Sequence, residues 1–462
     1  MKKLFDEVNS LDKRCYEEFA LSEDILMEHA ASSMASYIQE NYKDKKSILI
    51  VCGSGNNGAD GIALARLLFK AYDISLYFYS KAKSQMSQLQ LNRVNKLGVN
   101  ITDSLYEADI IVDCIFGSGL NKPLKTDAIE LIEKLNDLNS IKIACDIPSG
   151  INKKGQVLSI AFESDITITM GALKTSLFTD VAKEYVGDIK VANLGLQREV
   201  YETQTNKYLL EKEDMILPLR TKKHNSHKGT FGHLNVIAGC KKGAGVIAAK
   251  AAFGFGAGLV SVVCHEELDL PYHIMQTHFL SENCTAIAIG MGLGKYDKKE
   301  IEDILSKDVP MIIDADLFYE ELILDVLHKD IILTPHPKEF CALLKLCNIA
   351  DISIIELQDN RFYYASLFTN KYPNVTLVLK GANVIISKAN QVFVNSFGSS
   401  VLSKGGSGDV LSGLIASLLA QGYKSIDAAI SASLAHTLAA KAYKKNDYSL
   451  IPSDLVEEVK KL

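Results

Sequence analysis

What the chain lacks narrows its class first. It has no long basic run, and 50 Lys and Arg against 56 Asp and Glu leave a formal net charge of −6. That balance recommends neither nucleic acid nor an anionic membrane as a partner. Nine cysteines (15, 52, 114, 145, 240, 264, 284, 341 and 347) are present, yet no C-x-x-C pair occurs. A disulfide framework and a zinc site are therefore not expected; the thiols read as reduced and buried, in a cytoplasmic protein. The opening "MKKLFDEVNSLDKRCYEEFA" has acids where an apolar signal core would lie, so no secretory signal is expected. "GVIAAKAAFGFGAGLVSVVC" is the most membrane-like stretch, but its Lys250 and its glycines predict a helix, a turn and a strand. No internal repeat or low-complexity tract is visible.

What is present suits large cores. The chain has 462 residues, 47% apolar and 23% charged, which is too long for one average domain. Apolar β-branched runs ("SILIVCG", "ISLYFYS", "ADIIVDCIFG", "IKIACDIP", "DITITMG", "GDIKVANLG") alternate with segments of helical spacing such as "GIALARLLFKAY". That alternation predicts a doubly wound parallel sheet. The pattern breaks over residues 197–230, which are polar and turn-rich, and resumes with "HLNVIAG", "GLVSVVC", "AIAIGMG", "PMIIDAD", "DIILTPHP" and "TLVLKG". Two α/β domains follow, 1–205 and 206–462.

In the first half, "CGSGNNGADG" carries Gly53, Gly55 and Gly58 in the spacing that brings a backbone up to a pyrophosphate. An ordinary dehydrogenase would place an acid at the end of the next strand, for the ribose hydroxyl. Here "ISLYFYS" ends in Ser80 and Lys81, which argues against that reading. Asn57, Asp113 and Ser149 instead put oxygen at three strand ends. One carboxylate among neutral oxygens suits a monovalent cation better than a divalent one, though each residue alone is also what a turn or cap carries. "GSGLNKPL", residues 117–124, adds a second Gly-rich turn with Lys122, and Asp146 stands at a strand end where a carboxylate can take a proton.

The second half holds "LSKGGSGDVLSGLIASLLAQG". Gly405, Gly406 and Gly408 free the backbone before a helix expected to begin near Asp409. Its buried stripe is Val410, Leu411, Leu414, Ile415, Leu418 and Leu419, and Gly422 marks its end. Unpaired amides at such a helix start make an anion hole for a transferring phosphoryl group, beside Asp409 as proton acceptor. The plainer alternative makes Asp409 a helix cap.

"GSGNNGADG", "DCIFGSGLNKPL" and "DIPSGIN", in this order, resemble the NAD(P)HX epimerase domain, over roughly residues 1–200. That family interconverts the C6 epimers of hydrated NADH or NADPH and is Rossmann-like. The resemblance implies that Asn56, Asn57, Gly58, Ala59 and Asp60 line the hydrate, as do Gly117, Ser118, Gly119, Leu120, Asn121, Lys122 and Pro123. Asp146 is implied as the acid–base residue in contact with it, and Asn57, Asp113 and Ser149 as ligands of a potassium ion. Ala59 departs from the family's usual glycine. A positive φ there would cost alanine about 1 kcal/mol or more, and an ordinary φ nothing.

"HKGTFGHLNVIAGCKKGAGVIAAKAAFGFGAGLVSV", "IAIGMGLG", "IIDAD", "TPHPKEF" and "LVLKGANVII", together with "GGSGD", resemble the ADP- or ATP-dependent NAD(P)H-hydrate dehydratases, which are ribokinase-like. The match runs over about residues 225–440. It implies that Ala244, Gly292, His336 and Asp409 contact the hydrate, and that Lys380, Gly381, Ala382, Asn383, Val384 and Gly408 contact the adenine nucleotide. Asp409 is implied as catalytic, with Mg²⁺ bridging the phosphates. Fusion in this order implies ADP as co-substrate, NADHX and NADPHX as small-molecule substrates, and a homo-oligomer. Two alternatives stay open: a ribokinase-like small-molecule kinase with an accessory dinucleotide-binding domain, and a first domain that only binds.

Overall fold

The computed structural model describes residues 1–220 and 225–462. The chain divides into two compact units, Lys3–Thr205 and Asn206–Leu462, the latter including Met1–Lys2.

The first unit is built on one wholly parallel sheet. Its strands lie in the spatial order Asn100–Thr102, Asp73–Phe78, Ser47–Cys52, Ile110–Cys114, Ile141–Cys145, Ile166–Met170 and Asp188–Ala192. Alternate residues serve opposite layers. Ile48, Ile50, Ile110 and Val112 pack with Met34 and Ile38 of the helix Glu23–Asn41 and with Ile62 and Leu68 of the helix Asn56–Leu68. Leu49, Val51 and Ile111 face Leu131, Ile132 and Leu135 of the helix Thr126–Asp137. Burial on both faces is why these strands read as unbroken apolar runs. The result is a Rossmann-like three-layer unit.

The second unit extends the same logic and ends it with a hairpin. Met275–Thr277, Leu259–Val263, His233–Ile237, Ala286–Ile289, Met311–Ile313, Ile331–Leu333 and Thr376–Leu379 run parallel. Val384–Lys388 is antiparallel to Thr376–Leu379 and to Gln391–Asn395, and Lys207–Leu209 pairs beyond them. Val236, Val262, Ala288 and Ile312 pack under the helices Lys242–Gly254 and Ser407–Ala420, while Ile287, Ile289, Ile313 and Leu333 face Pro337–Leu346 and Arg361–Lys371. This unit is ribokinase-like.

The turn-rich segment 197–230 carries the junction between the units: Arg198–Tyr201 is a short helix with Tyr201 buried in the first unit's core, and Lys207–Leu209 is a strand of the second sheet. Residues 221–224 of that segment lie outside the described residues. All nine thiols are free, but Cys240 is exposed and Cys284 and Cys341 are half-buried. The membrane-like stretch is the helix Lys242–Gly254 followed by the strand Leu259–Val263. Among the described residues no helix is long and apolar enough to cross a membrane.

Candidate functional site

In the first sheet the order of strands reverses beside Ser47–Cys52, where the chain returns to pair Ile110–Cys114 on the other side. Such a switch point opens a crevice at the carboxyl ends of the strands. A cleft of about 870 Å³ lies there, lined by Asn56, Asn57, Asp60, Gly117, Ser118, Gly119, Leu120, Asn121, Lys122, Pro123 and Asp146, with Asp12 and Lys83. The structure thus brings together most of the sequence-predicted residues of this half. Four stay outside the lining, and of these Asp113 and Ser149 are fully buried. Ala59 is fully buried against Met27, Met86 and Leu89, and Gly58 is sealed beneath the helix start. Ala59 has ordinary helical backbone, so its replacement of glycine carries no strain.

The glycine spacing has a structural cause. A Cβ on Gly53 would lie 1.9 Å from the carbonyl oxygen of Ile115, and one on Gly58 would lie 2.1 Å from that of Gly53. These two glycines let backbone close on backbone, and Gly55 alone faces open space.

Asn57, Asp113 and Ser149 form one network. Ser149 Oγ donates to Asp113 Oδ1 at 2.6 Å and Ser149 N to Oδ2 at 2.7 Å, while Ile115 N reaches Oδ1 at 3.1 Å. Ser149 Oγ accepts from Phe116 N at 2.9 Å, and Asn57 Nδ2 donates to Phe116 O at 3.0 Å. Burial pushes the Asp113 carboxyl up to about 6, against hydrogen bonds from Ser149 and Ile115 that favour its ionised form. Every one of those partners is neutral.

Asp146 has a φ of +69°, a left-handed backbone that asparagine and aspartate tolerate better than most side chains. Its Oδ1 accepts from Lys174 Nζ at 2.5 Å, Met170 N at 3.1 Å and Thr169 Oγ1 at 3.3 Å. Further carboxylates crowd the same cleft. Burial, and then the charges of Asp146, Asp12 and Glu23, hold Asp60 well above the usual carboxylate range. Burial likewise raises Asp12, against a 2.7 Å hydrogen bond from Tyr201 Oη. Asn56 Nδ2 donates to Glu23 Oε1 at 2.6 Å.

In the second unit the helix begins at Ser407, two residues before the expected start, with Gly406 at the cap and at φ +88°. Asp409 therefore lies within the first turn and is not the cap. Gly405 faces open space, and a Cβ on Gly408 would meet only Lys380 Nζ, at 3.7 Å. Behind the loop, Gly406 is backed by Pro452 and Ile247, at 2.5 and 3.1 Å from where its Cβ would stand. His436 Nε2 reaches Ser407 O at 2.9 Å, and burial lowers this imidazole to about 4.

Lys380 Nζ pairs with Asp314 Oδ1 at 2.9 Å and lies 3.9 Å from Glu339 Oε2. Asp314 Oδ2 accepts from Ser412 Oγ at 2.7 Å. Burial, then Asp314, raises the Asp409 carboxyl, with Lys380 opposing. Burial pushes Glu339 up to about 7, also against Lys380. The turn 380–383 is pinned by buried Arg361, which donates to the carbonyls of Leu379, Lys380 and Asn383 at 3.0 to 3.1 Å. Gly381 and Ala382 are exposed, while Asn383 and Val384 are buried, Val384 packing against the core.

His336 caps the helix Pro337–Leu346. Its Nδ1 accepts from the amides of Lys338 and Glu339, and Glu339 Oε2 accepts from its backbone amide at 2.7 Å. Gly292, at φ +59°, approaches Ala244: a Cβ on Gly292 would lie 3.0 Å from that of Ala244. The predicted Ala244 and Gly292 are thus neighbours, and Lys380, Gly408 and Asp409 form a second group with Asp314 and Glu339.

Lys174, Asp12, Asp314, Glu339, Arg361 and His436 had no role in the sequence reading. Two had a signal available: Asp314 ends the apolar run "MIID", and Glu339 stands three residues after a capping position, in "HPKE". Among the described residues no group of three or more His, Cys, Asp or Glu side chains is placed to hold a metal ion.

Fold and geometry thus define a two-part α/β protein, with a switch-point cleft in one unit and a glycine loop at a helix start in the other. Two family models match in the same order: "YjeF-related protein N-terminus" over residues 23–176 and "NAD(P)H-hydrate dehydratase" over residues 234–461. The bifunctional NAD(P)H-hydrate repair enzyme Nnr of Helicobacter pylori is 45% identical over 473 residues, covering 100% of both chains. That of Coxiella burnetii is 32% identical, covering 96% of each. The chain belongs to the family of bifunctional NAD(P)H-hydrate repair enzymes. A solved ADP/ATP-dependent NAD(P)H-hydrate dehydratase from Bacillus subtilis, co-crystallized with ATP/Mg²⁺, aligns at 26% identity and a TM-score of 0.46. The alignment covers 56% of this chain and 98% of that one.

Proposed function

We propose that the chain restores hydrated nicotinamide dinucleotides in two steps. Residues 1–205 interconvert R- and S-NAD(P)HX, and residues 206–462 dehydrate the S epimer to NAD(P)H while ADP becomes AMP and phosphate. The observation that carries this reading is the full-length 45% identity to an enzyme named as a bifunctional NAD(P)H-hydrate repair enzyme. The reading extends to a cytoplasmic homo-oligomer working on small molecules.

The hydrate bears a hydroxyl on C6, next to ring nitrogen N1. In the first unit Asp146 takes the hydroxyl proton, the C6–O bond becomes a carbonyl, and N1–C6 opens as N1 gains a proton. Reclosure on the other face gives the other epimer and returns the proton to oxygen. The residues 117–123 and Asn56, Asn57 and Asp60 hold the substrate around that step. A potassium ion fits Asn57, Asp113 and Ser149, because a buried carboxylate raised to about 6 has only neutral partners. Held there, it would supply positive charge beside Asp113.

In the second unit Asp409 accepts the C6 hydroxyl proton as that oxygen bonds to the β-phosphorus of ADP and AMP leaves. The open amides at Gly408 and Asp409, with Lys380, stabilise the transferring group. N1 then expels phosphate from C6, and loss of a C5 proton completes the dihydropyridine. Mg²⁺ on the nucleotide would neutralise phosphate charge.

Incubation with both NADHX epimers and either ADP or ATP tests the reading, with epimer-resolved chromatography and the near-ultraviolet absorbance of NADH as readouts. Consumption of both epimers with ADP is the expected result. Loss of the S epimer alone removes the first activity; a stable phosphorylated product without NADH removes the second.

A further inference from the structure

We infer that Lys174 is a positioning residue for the epimerisation, aiming one oxygen of Asp146 into the cleft and supplying that carboxylate's counter-charge. The inference rests on the proposed role of Asp146.

Lys174 is only 1% exposed, an unusual setting for a lysine, and its ammonium is fully used inside the protein. It donates to Asp146 Oδ1 at 2.5 Å, Thr169 Oγ1 at 2.8 Å and Met170 O at 3.3 Å. Three donors thus meet three acceptors. Buried in this way, Lys174 does not touch a ligand in the cleft. Its effect passes through Asp146.

That effect has two parts. The first is direction. Lys174, Met170 N and Thr169 Oγ1 all converge on Oδ1, so among the described residues Oδ2 is the oxygen that no protein donor claims. A carboxylate anchored by one oxygen on a left-handed backbone presents the other to the substrate in a fixed orientation. The second part is charge. Asp12 and Asp60 line the same cleft as Asp146, and Lys174 is the one ammonium in hydrogen-bond contact with this acidic group among the described residues. Removing it would leave a carboxylate among carboxylates, which costs its ionised form.

The test uses the full chain and the epimerisation assay as a function of pH, with wild type, Asp146→Asn, Lys174→Met and Lys174→Arg. Methionine keeps a stem of similar length without charge; arginine restores charge. For Lys174→Met, kcat should fall by roughly 10²-fold, the scale of one acid–base group. KM should stay within about threefold, since the residue touches no substrate. The acid limb of the kcat profile should move up by about one pH unit, and arginine should return it toward the wild-type position. A folded Lys174→Met with wild-type kcat and an unmoved acid limb overturns the inference. If Lys174→Met does not fold, Thr169→Val decides. A smaller loss with a smaller upward limb shift supports the role, and an unchanged profile ends it. Absence of interconversion by the wild type, or full activity in Asp146→Asn, removes the underlying reading instead, and this inference with it.

Discussion

The two glycine-rich loops look alike in sequence and serve opposite ends. In "GSGNNG", Gly53 and Gly58 are glycine because neighbouring backbone oxygens stand about where a Cβ would go, at 1.9 and 2.1 Å. In "KGGSGD", Gly405 and Gly408 meet no protein backbone, and Gly408 faces only the Lys380 ammonium. The first loop spends its glycines on holding strand ends together, with the side chains of Asn57 and Asp60 left at the cleft. The second keeps its amides bare for a ligand. A glycine motif therefore says that a side chain is unwelcome, and only the surroundings say whether protein or ligand is what excludes it.

The sharpest way to separate the two regions is to disable each carboxylate in turn. Asp146→Asn keeps the left-handed backbone and should lower epimerisation by roughly 10²- to 10⁴-fold while sparing S-epimer dehydration. Asp409→Asn should do the reverse. Epimer-resolved assays read both.

The glycines come next. Gly58→Ala should destabilise the first unit by about 2 kcal/mol or more, seen in calorimetry, because backbone has to move. Gly408→Ala should leave stability unchanged or raised by up to about 1 kcal/mol, yet slow dehydration by at least roughly tenfold by crowding the phosphoryl group. Equal stability losses at both positions would erase the contrast drawn here.

The proposed potassium site gives a smaller effect with a definite sign. The Asp113 carboxyl is raised from 3.8 to about 6, so the cation-free fold binds this proton more tightly than the unfolded chain. Its contribution to stability therefore falls as pH rises from about 4 to about 6. Potassium competes with that proton, so it should raise the melting temperature more above about pH 6 than below. Asp113→Asn should abolish the pH difference. Last and smallest, Ala59→Gly should cost about 1 kcal/mol of stability and leave epimerisation untouched, since Ala59 is an interior helical residue away from the cleft wall.

The sheets were legible because parallel strands buried on both faces must be apolar along their whole length, and "SILIVC" or "AIAI" has no other easy explanation. The edge strand Asp188–Ala192 was read as "GDIKVANLG", but two other edge strands were not. Asn100–Thr102 and Met275–Thr277 are three residues long and half-exposed, too short to show a period. The cleft-lining turns were readable from local composition, and the Ala59 question was settled by its helical backbone. Lys174 was invisible for a different reason. A single lysine in "GALKTSLF" looks like surface, and only the folding of residues 171–174 back toward the Asp146 turn buries it. Glu339 and Asp314 were concealed by their company. The former passes as a capping-box acid, and the latter becomes significant only when the strand Thr376–Leu379, two places along the sheet, brings Lys380 beside it.

Pro452 opens the final helix, Pro452–Val459, and stands directly behind Gly406. The glycine loop thus leans on a segment nearly fifty residues downstream. That makes the helix Pro452–Val459 a mechanical backstop. Loosening it would be felt first as slackness in the loop it supports, in a protein that still keeps its fold.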